Sequence, residues 1–143
     1  MEEKIEYLKR AGAVFFPPGA ARALNLANAA FQQMKASVLP TAMGTFYASY
    51  GGAVLGDACV FPIEDMDRPN RNYVMPGIVK VNRDMIDFKA LRRKTIWGRN
   101  QFYWFSADFV GAICMHDVLT LTVLRKYGDI GSALADCLLA GRV

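Results

Sequence analysis

Apolar residues recur at helical spacing in the first third of the chain. A short amphipathic helix is predicted over residues 2–10. A longer helix is predicted over residues 20–35 from a stripe formed by Leu24, Ala27, Phe31 and Met34. Pro40 suits the first turn of a third helix, which runs to residue 50. Gly51 and Gly52 are expected to end it, because glycine tolerates the left-handed conformation of a helix cap.

Short β-favouring runs dominate the rest of the chain. A loop over residues 62–76 and a short helix beginning at Asn82 or Asp84 and running through Arg92 interrupt them. Strands are predicted at residues 54–55, 59–61, 78–81, 95–97, 102–105, 111–116 and 119–124. A closing helix is expected over residues 129–139, with Gly141 ending it. This order predicts an α+β fold with N-terminal helices, a mainly antiparallel sheet and a closing C-terminal helix, in one domain covering residues 1–143.

Composition narrows the class of protein further. The chain has 143 residues, of which 53% are hydrophobic and 21% charged, and this balance excludes disorder as a description of the whole chain. Three cysteines do not make the paired disulfide framework of a small secreted domain. The uncharged stretch 36–56 contains Pro40 and several glycines, which do not suit a membrane helix. The sequence therefore predicts a soluble, cytoplasmic protein without a membrane partner.

Positive charge is concentrated in the middle of the chain. The formal net charge is +4, but the segment 68–99 contains nine basic residues against two acidic ones. The remaining residues carry a net negative charge, so the chain is electrically polarised along its sequence. A basic segment of this kind favours an acidic protein surface or a nucleic acid as the partner.

Arginine and aromatic residues lie close together within the basic segment. The candidate partner-binding residues are Arg68, Arg71, Arg92, Arg93, Lys94, Trp97 and Arg99. Arginine and aromatic side chains dominate protein-binding hot spots, and they also form surfaces for single-stranded nucleic acid. The residues alone leave open a nucleic-acid-binding module that uses the basic and aromatic segment 68–104.

No pattern in the chain indicates a cofactor or a catalytic centre. His116 is the only histidine, and on a strand it shares a face with Cys114, near which Cys59 could approach. A zinc site would need a fourth ligand and paired cysteine spacing, and a buried cysteine is usually inert. The acidic run 64–67 is read as a solvated loop. We therefore predict no metal, no cofactor and no enzymatic activity.

Several of these segments together resemble a known family. Leu39-Pro40 followed by Phe46-Tyr47-x-x-Tyr50-Gly51-Gly52 resembles a motif of the SUKH superfamily, which includes yeast cell-wall assembly regulators and bacterial immunity proteins. Pro17-Pro18 matches the lead-in to the second helix of that family. The runs Ile96-Trp97-Gly98-Arg99, residues 102–105 and Tyr127-Gly128-Asp129 resemble its later strands and closing helix. The resemblance extends over about residues 15–139 and lies in the order and spacing of the pieces.

The resemblance implies a function that the composition does not. Members of the superfamily commonly bind and neutralise a bacterial toxin, so it implies a non-catalytic immunity protein that acts by stoichiometric binding. It also places a protein partner ahead of a nucleic acid. The basic middle of this chain departs from the acidic character of many immunity proteins and favours a toxin with an acidic surface. The sequence leaves the toxin's identity and the oligomeric state open.

Overall fold

The computed structural model describes residues 1–68 and 71–140. Within them the helices fall at the start, middle and end of the chain. They are α1 (Glu2–Arg10), α2 (Ala21–Gln33), α3 (Thr41–Ser49), α4 (Ile78–Met85) and α5 (Ile130–Leu139), together with a short 3₁₀ helix at Lys89–Leu91. The first three helices and the last one confirm the predicted elements to within two residues at each end. Gly141, predicted to end the closing helix, lies outside the described residues.

An antiparallel sheet of seven strands forms the centre of the fold. In the described part of the chain there are nine strands, seven of them in this sheet: β1 (Val14–Phe15), β2 (Ala53–Leu55), β3 (Ala58–Val60), β4 (Met66–Asp67), β5 (Val74–Met75), β6 (Thr95–Arg99), β7 (Tyr103–Ala107), β8 (Ile113–Asp117) and β9 (Val123–Tyr127). The large sheet has the order β1-β2-β3-β6-β7-β8-β9, and β4 pairs with β5 in a separate ribbon. The predicted α+β class, with a mainly antiparallel sheet and a closing helix, is confirmed.

The closing helix packs across one face of the sheet. Leu134, Cys137 and Leu138 are fully buried there, and the Tyr127 hydroxyl on β9 donates a hydrogen bond of 2.7 Å to the Asp136 carboxylate. Helix α1 packs on α5. Alternate residues of the strands point away from α5, towards the opposite face. The core therefore leaves one sheet face for other elements and for solvent.

Residues 78–81 form a helix, so the predicted strand is wrong. Ile78, Val81 and Asn82 are buried, whereas Lys80 and Arg83 are exposed, and this three-to-four spacing is helical. The β-branched residues of the run favour a strand locally, but packing of one helical face against β6 outweighs that preference. The short helix predicted from Asn82 or Asp84 through Arg92 is thus wrong in its bounds, because α4 begins at Ile78 and ends at Met85.

The connections also differ in detail from the prediction. The predicted loop at 62–76 contains the β4–β5 ribbon, and the predicted strand at 119–124 begins only at Val123. The Asp117 carboxylate accepts hydrogen bonds from the backbone N–H groups of Leu119 and Thr120, which makes a turn where the strand was expected. A polar side chain that bonds to the following backbone thus shortens the strand.

The two glycines after α3 have different functions. The helix ends at Ser49, and Tyr50 after it is already extended, with φ −140°. Gly52 has φ +127°, and a Cβ there would lie 2.8 Å from the Val60 carbonyl oxygen. A side chain at Gly51 would collide with the backbone of Pro17. The left-handed conformation predicted for this pair therefore applies to Gly52, whereas Gly51 permits a close approach of two chain segments.

Candidate functional site

Four chemically distinct side chains form a row across the sheet face opposite α5. Cys59 on β3 pairs with Arg99 on β6, Arg99 pairs with Trp104 on β7, and Trp104 pairs with His116 on β8. Directly paired residues of neighbouring strands point to the same face, so all four share this side. The register therefore brings together residues that are far apart in the sequence.

A cavity of about 530 Å³ opens over the middle of this row. Helix α4 and the β4–β5 ribbon with its flanking turns supply its other walls. Its lining consists of Asp57, Cys59, Phe61, Tyr73, Pro76, Lys80, Val81, Asp84, Met85, Arg99, Asn100, Gln101 and Trp104. The volume lies in the range of pockets that hold a small molecule or one or two side chains of a partner.

A stacked arginine and tryptophan form the base of the cavity. The Arg99 guanidinium carbon lies 4.5 Å from the centre of the Trp104 ring, a cation–π contact. The Trp104 ring is half-buried, and the Phe61 ring lies 6.4 Å away between centroids. Arg99 itself is exposed. The stack holds the guanidinium in one orientation while leaving its N–H groups accessible.

A buried asparagine keeps the turn after Arg99 rigid. Asn100 is 1% exposed, and its side-chain oxygen accepts hydrogen bonds of 2.9 Å from the backbone N–H groups of Phe102 and Tyr103. Its side-chain nitrogen donates to the Cys137 carbonyl at 3.1 Å, which ties the turn to α5. Arg99 and Trp104 flank this turn on adjacent strands, so the turn sets their relative position.

The cavity lining carries charges of both signs. Lys80 and Arg99 are opposed by Asp57 and Asp84. At the rim, the Arg71 guanidinium lies 3.8 Å from the Asp57 carboxylate, and both side chains are more than half exposed. An exposed pair of this kind contributes little to stability and exchanges readily with other partners. The cavity is therefore electrically mixed rather than uniformly basic.

Two of the predicted partner-binding residues are not on the surface. Trp97 is fully buried, and its ring packs against Phe105 with 5.4 Å between centroids. Arg68 is 6% exposed, its guanidinium donates to the Gly56 carbonyl, and it lies over the Tyr73 ring at 5.9 Å. Trp97 is thus a core residue, and Arg68 attaches the β4–β5 ribbon to the β2–β3 turn. The prediction that these two residues contact a partner is corrected.

The other predicted residues fall into two separate groups. Arg99 lines the cavity and Arg71 lies at its rim, whereas Arg92, Arg93 and Lys94 immediately precede β6. Strand β6 separates the groups, and at about 3.3 Å per residue its two ends are roughly 13 Å apart. The basic segment therefore forms two surfaces instead of one.

Sequence reasoning missed most of the cavity wall. The sequence places Trp104 in the basic and aromatic segment 68–104 but not among the candidate partner-binding residues, and it predicts a loop at Tyr73 and a strand at Lys80. Trp104 reaches the cavity because it pairs with Arg99 on the neighbouring strand, and this register depends on the turn between β6 and β7. Lys80 could be found from the helical spacing of Ile78 and Val81.

His116 lies in the same row but is closed to the cavity. Its Nδ1 donates to the Leu121 carbonyl at 2.9 Å, because a carbonyl oxygen only accepts, and its Nε2 accepts from the Ser106 hydroxyl at 2.7 Å. His116 and Ser106 are 0% and 1% exposed. Burial lowers the pKa of His116, so it is neutral at pH 7. This pair has the contacts of a nucleophile and a base, but no substrate can reach it in this conformation.

The three cysteines are free thiols, and Cys59 and Cys137 have little tendency to ionise. Burial raises the pKa of Cys59 to about 11, although the guanidinium groups of Arg68 and Arg99 act in the opposite direction. Burial also raises the pKa of Cys137. Within residues 1–68 and 71–140, no three His, Cys, Asp or Glu side chains are grouped closely enough to hold a metal ion. Cys59 is therefore a protonated wall residue of the cavity at neutral pH.

Comparison with known proteins adds no family assignment. Protein-family models, curated proteins and solved structures were searched, and none of them matches this chain. In the part of the chain that the structure describes, no helix has both the length and the apolar character to cross a membrane. The geometry of the cavity and the resemblance of the sequence motifs are therefore the two indications of function.

Proposed function

We propose that this protein is a non-catalytic binding protein that neutralises a bacterial toxin by stoichiometric binding, as the SUKH-like motifs imply. The observation that carries the proposal is the Arg99 guanidinium stacked 4.5 Å over the Trp104 ring at the base of an open cavity. The protein inserts nothing into its partner and converts no substrate. It receives a side chain of the toxin and blocks the surface around that side chain.

The stack supports protein binding because of its chemistry and its rigidity. Tryptophan, tyrosine and arginine are the residues that contribute most to protein interfaces, and Tyr73 adds a half-exposed ring to the same cavity. The Trp104 ring orients the guanidinium in the free protein, and Asn100 holds the turn that joins their two strands. Side chains that are ordered before binding lose less conformational entropy in the complex, which strengthens association.

The charges of the lining determine which partner surface fits. Arg99 offers N–H donors to a single carboxylate, and the Trp104 ring offers apolar contact beside it. Asp57 and Asp84 would repel a second carboxylate placed near either of them. We therefore expect the toxin to present one acidic side chain flanked by apolar residues. A uniformly acidic surface would match the cavity less well.

The first experiment identifies the partner by comparing matched variants. The tagged protein, an Arg99→Ala variant, a Trp104→Ala variant and an Arg22→Ala control are used to capture proteins from the native host. Arg22 is exposed on α2 and does not line the cavity. The expected result is a protein that wild type and the control retain and that both cavity variants lose.

The second experiment tests neutralisation with the purified components. Titration calorimetry with that protein should give one partner per chain, and association should slow as salt rises because charge steers the encounter. The toxic activity should fall in proportion to the immunity protein added and should return with either cavity variant. Full neutralisation by Arg99→Ala and Trp104→Ala would refute the proposed site, and substoichiometric neutralisation would refute the non-catalytic mechanism.

A further inference from the structure

A second basic surface lies at the other end of β6 from the cavity. Two adjoining grooves open there between the end of α2 and the segment after the 3₁₀ helix. Lys35 and Arg93 line both grooves, and Arg92 lines one of them. All three side chains are exposed. Three cations from two chain segments therefore meet on one surface.

These cations have no acidic partner among the described residues. Neither groove is lined by an aspartate or a glutamate in residues 1–68 and 71–140. In the same part of the chain, no carboxylate lies within 4 Å of the charged groups of Lys35, Arg92 or Arg93. The cavity differs in this respect, since its two cations are opposed by Asp57 and Asp84. The second surface is thus open to an anion from outside.

Two of the three cations occupy backbone positions that favour glycine. Lys35 has φ +60° and Arg93 has φ +59°, both in the left-handed region. At Lys35 the conformation closes α2, because the Ala36 N–H bonds to the Phe31 carbonyl at 3.0 Å. Glycine would adopt either conformation with less strain. The folded backbone therefore gives no reason for a long cationic side chain at these two sites.

An exposed aromatic ring completes the surface. Phe109 is 71% exposed and lines the groove that also contains Lys35 and Arg93. A large apolar ring in water is unfavourable unless another group covers it. Gln32 and Ser37 add polar groups to the same groove. Cations beside an exposed ring match the backbone phosphates and unstacked bases of a single strand.

We propose that this surface binds single-stranded nucleic acid. Lys35, Arg92 and Arg93 bind successive phosphates, and a base stacks on the Phe109 ring. The placement of two cations at glycine-favouring positions is explained if their charge is needed for binding. An acidic protein segment would satisfy the cations, but stacking on Phe109 requires a flat base or another aromatic ring. The proposal does not depend on the cavity, which lies beyond the far end of β6.

The decisive variant separates binding from folding. In Lys35→Gly/Arg93→Gly, both cations are lost and both strained positions are relieved, so the melting temperature should be no lower than that of wild type. The matched control, Arg22→Ala/Lys126→Thr, removes two exposed cations that line neither groove. Binding of a fluorescein-labelled single-stranded oligonucleotide of mixed sequence is measured by anisotropy at several salt concentrations.

Wild type and the control should bind the oligonucleotide with similar affinity. The glycine variant should bind at least about tenfold more weakly, and the slope of log affinity against log salt should fall by about 1.4, which is about 0.7 for each lost phosphate contact. Phe109→Ala should weaken binding about fivefold or more through lost stacking, with little change in the slope.

Three results would overturn the proposal. The first is no binding by wild type at low salt, and the second is equal binding by the glycine variant and the control. The third is a polyglutamate peptide that displaces the oligonucleotide as well as unlabelled oligonucleotide does, since this would indicate an acidic protein partner. A melting temperature of the glycine variant clearly below that of wild type would show that Lys35 and Arg93 stabilise the fold. The backbone strain at these two positions would then no longer support the proposal.

Discussion

Asn82 joins helix α4 to the sheet, and its replacement tests how the cavity wall is held in place. Its side-chain nitrogen donates to the Ile96 carbonyl at 2.8 Å, and its side-chain oxygen accepts from the Ile96 N–H at 2.7 Å. Strand β3 pairs with β6 only at Arg99 and Gly98, so Ile96 has no partner residue on that side. Asn82 supplies the two hydrogen bonds that a longer β3 would have made.

We expect Asn82→Leu to destabilise the protein by about 2–4 kcal/mol. Leucine has the same number and branching of side-chain heavy atoms, so the change removes hydrogen bonds without opening a large cavity. Each buried backbone group left without a partner costs about 1–3 kcal/mol, and added apolar burial returns ~1–2 kcal/mol. Both groups belong to Ile96, which is fully buried, so water cannot replace the lost partner.

Urea denaturation followed by circular dichroism measures this loss. With a slope of about 2 kcal/mol per molar urea, the midpoint should fall by ~1–2 M while the slope stays constant. The matched control is Asn25→Leu, the same substitution at an exposed position of α2, which should change stability by less than about 0.5 kcal/mol. An Asn82→Leu variant as stable as this control would refute the view that Asn82 pairs with Ile96 in place of a strand.

Three further predictions concern buried groups. The folded protein lowers the pKa of His116 below its ordinary value of 6.5, so as the pH falls the imidazole takes up a proton more readily in the unfolded state than in the folded state. The free energy of unfolding should therefore fall more between pH 7 and pH 5 in wild type than in His116→Gln. Trp97→Ala should cost about 3–5 kcal/mol in urea denaturation, whereas Trp104→Ala, in a half-buried position, should cost clearly less, and equal losses would contradict the assignment of Trp97 to the core. Since the pKa of Cys59 is raised to about 11, its alkylation by iodoacetamide should be slow at pH 7 and should accelerate with pH up to that value; rapid labelling at pH 7 would contradict a protonated thiol.

The local pattern of the sequence was sufficient for most elements of the fold. The stripe formed by Ala27 and Phe31 predicts α2, and Asp129 marks the start of α5, where its carboxylate accepts from the Ser132 N–H at 2.7 Å. The α+β order follows from the same signals. These features depend on residues a few positions apart, and such contacts form within one element.

Contacts between distant residues decided everything else about the site. Residues 78–81 favour a strand locally, yet burial of Ile78 and Val81 on one side makes them helical and brings Lys80 to the cavity. The stack of Arg99 on Trp104 exists only in one register of β6 and β7, and a slip of one residue would turn Trp104 to the opposite face.

The division of the basic segment also belongs to the tertiary structure. Composition groups the arginines around β6 together, whereas the folded chain places Arg99 at one end of the strand and Arg93 at the other. The folded chain also directs the Trp97 side chain into the core, where its ring packs on Phe105. The sequence by itself determined which elements form and that the chain is basic in its middle. Which side chains meet at a surface was decided by strand register and helix packing, because burial of apolar area depends on the whole chain at once.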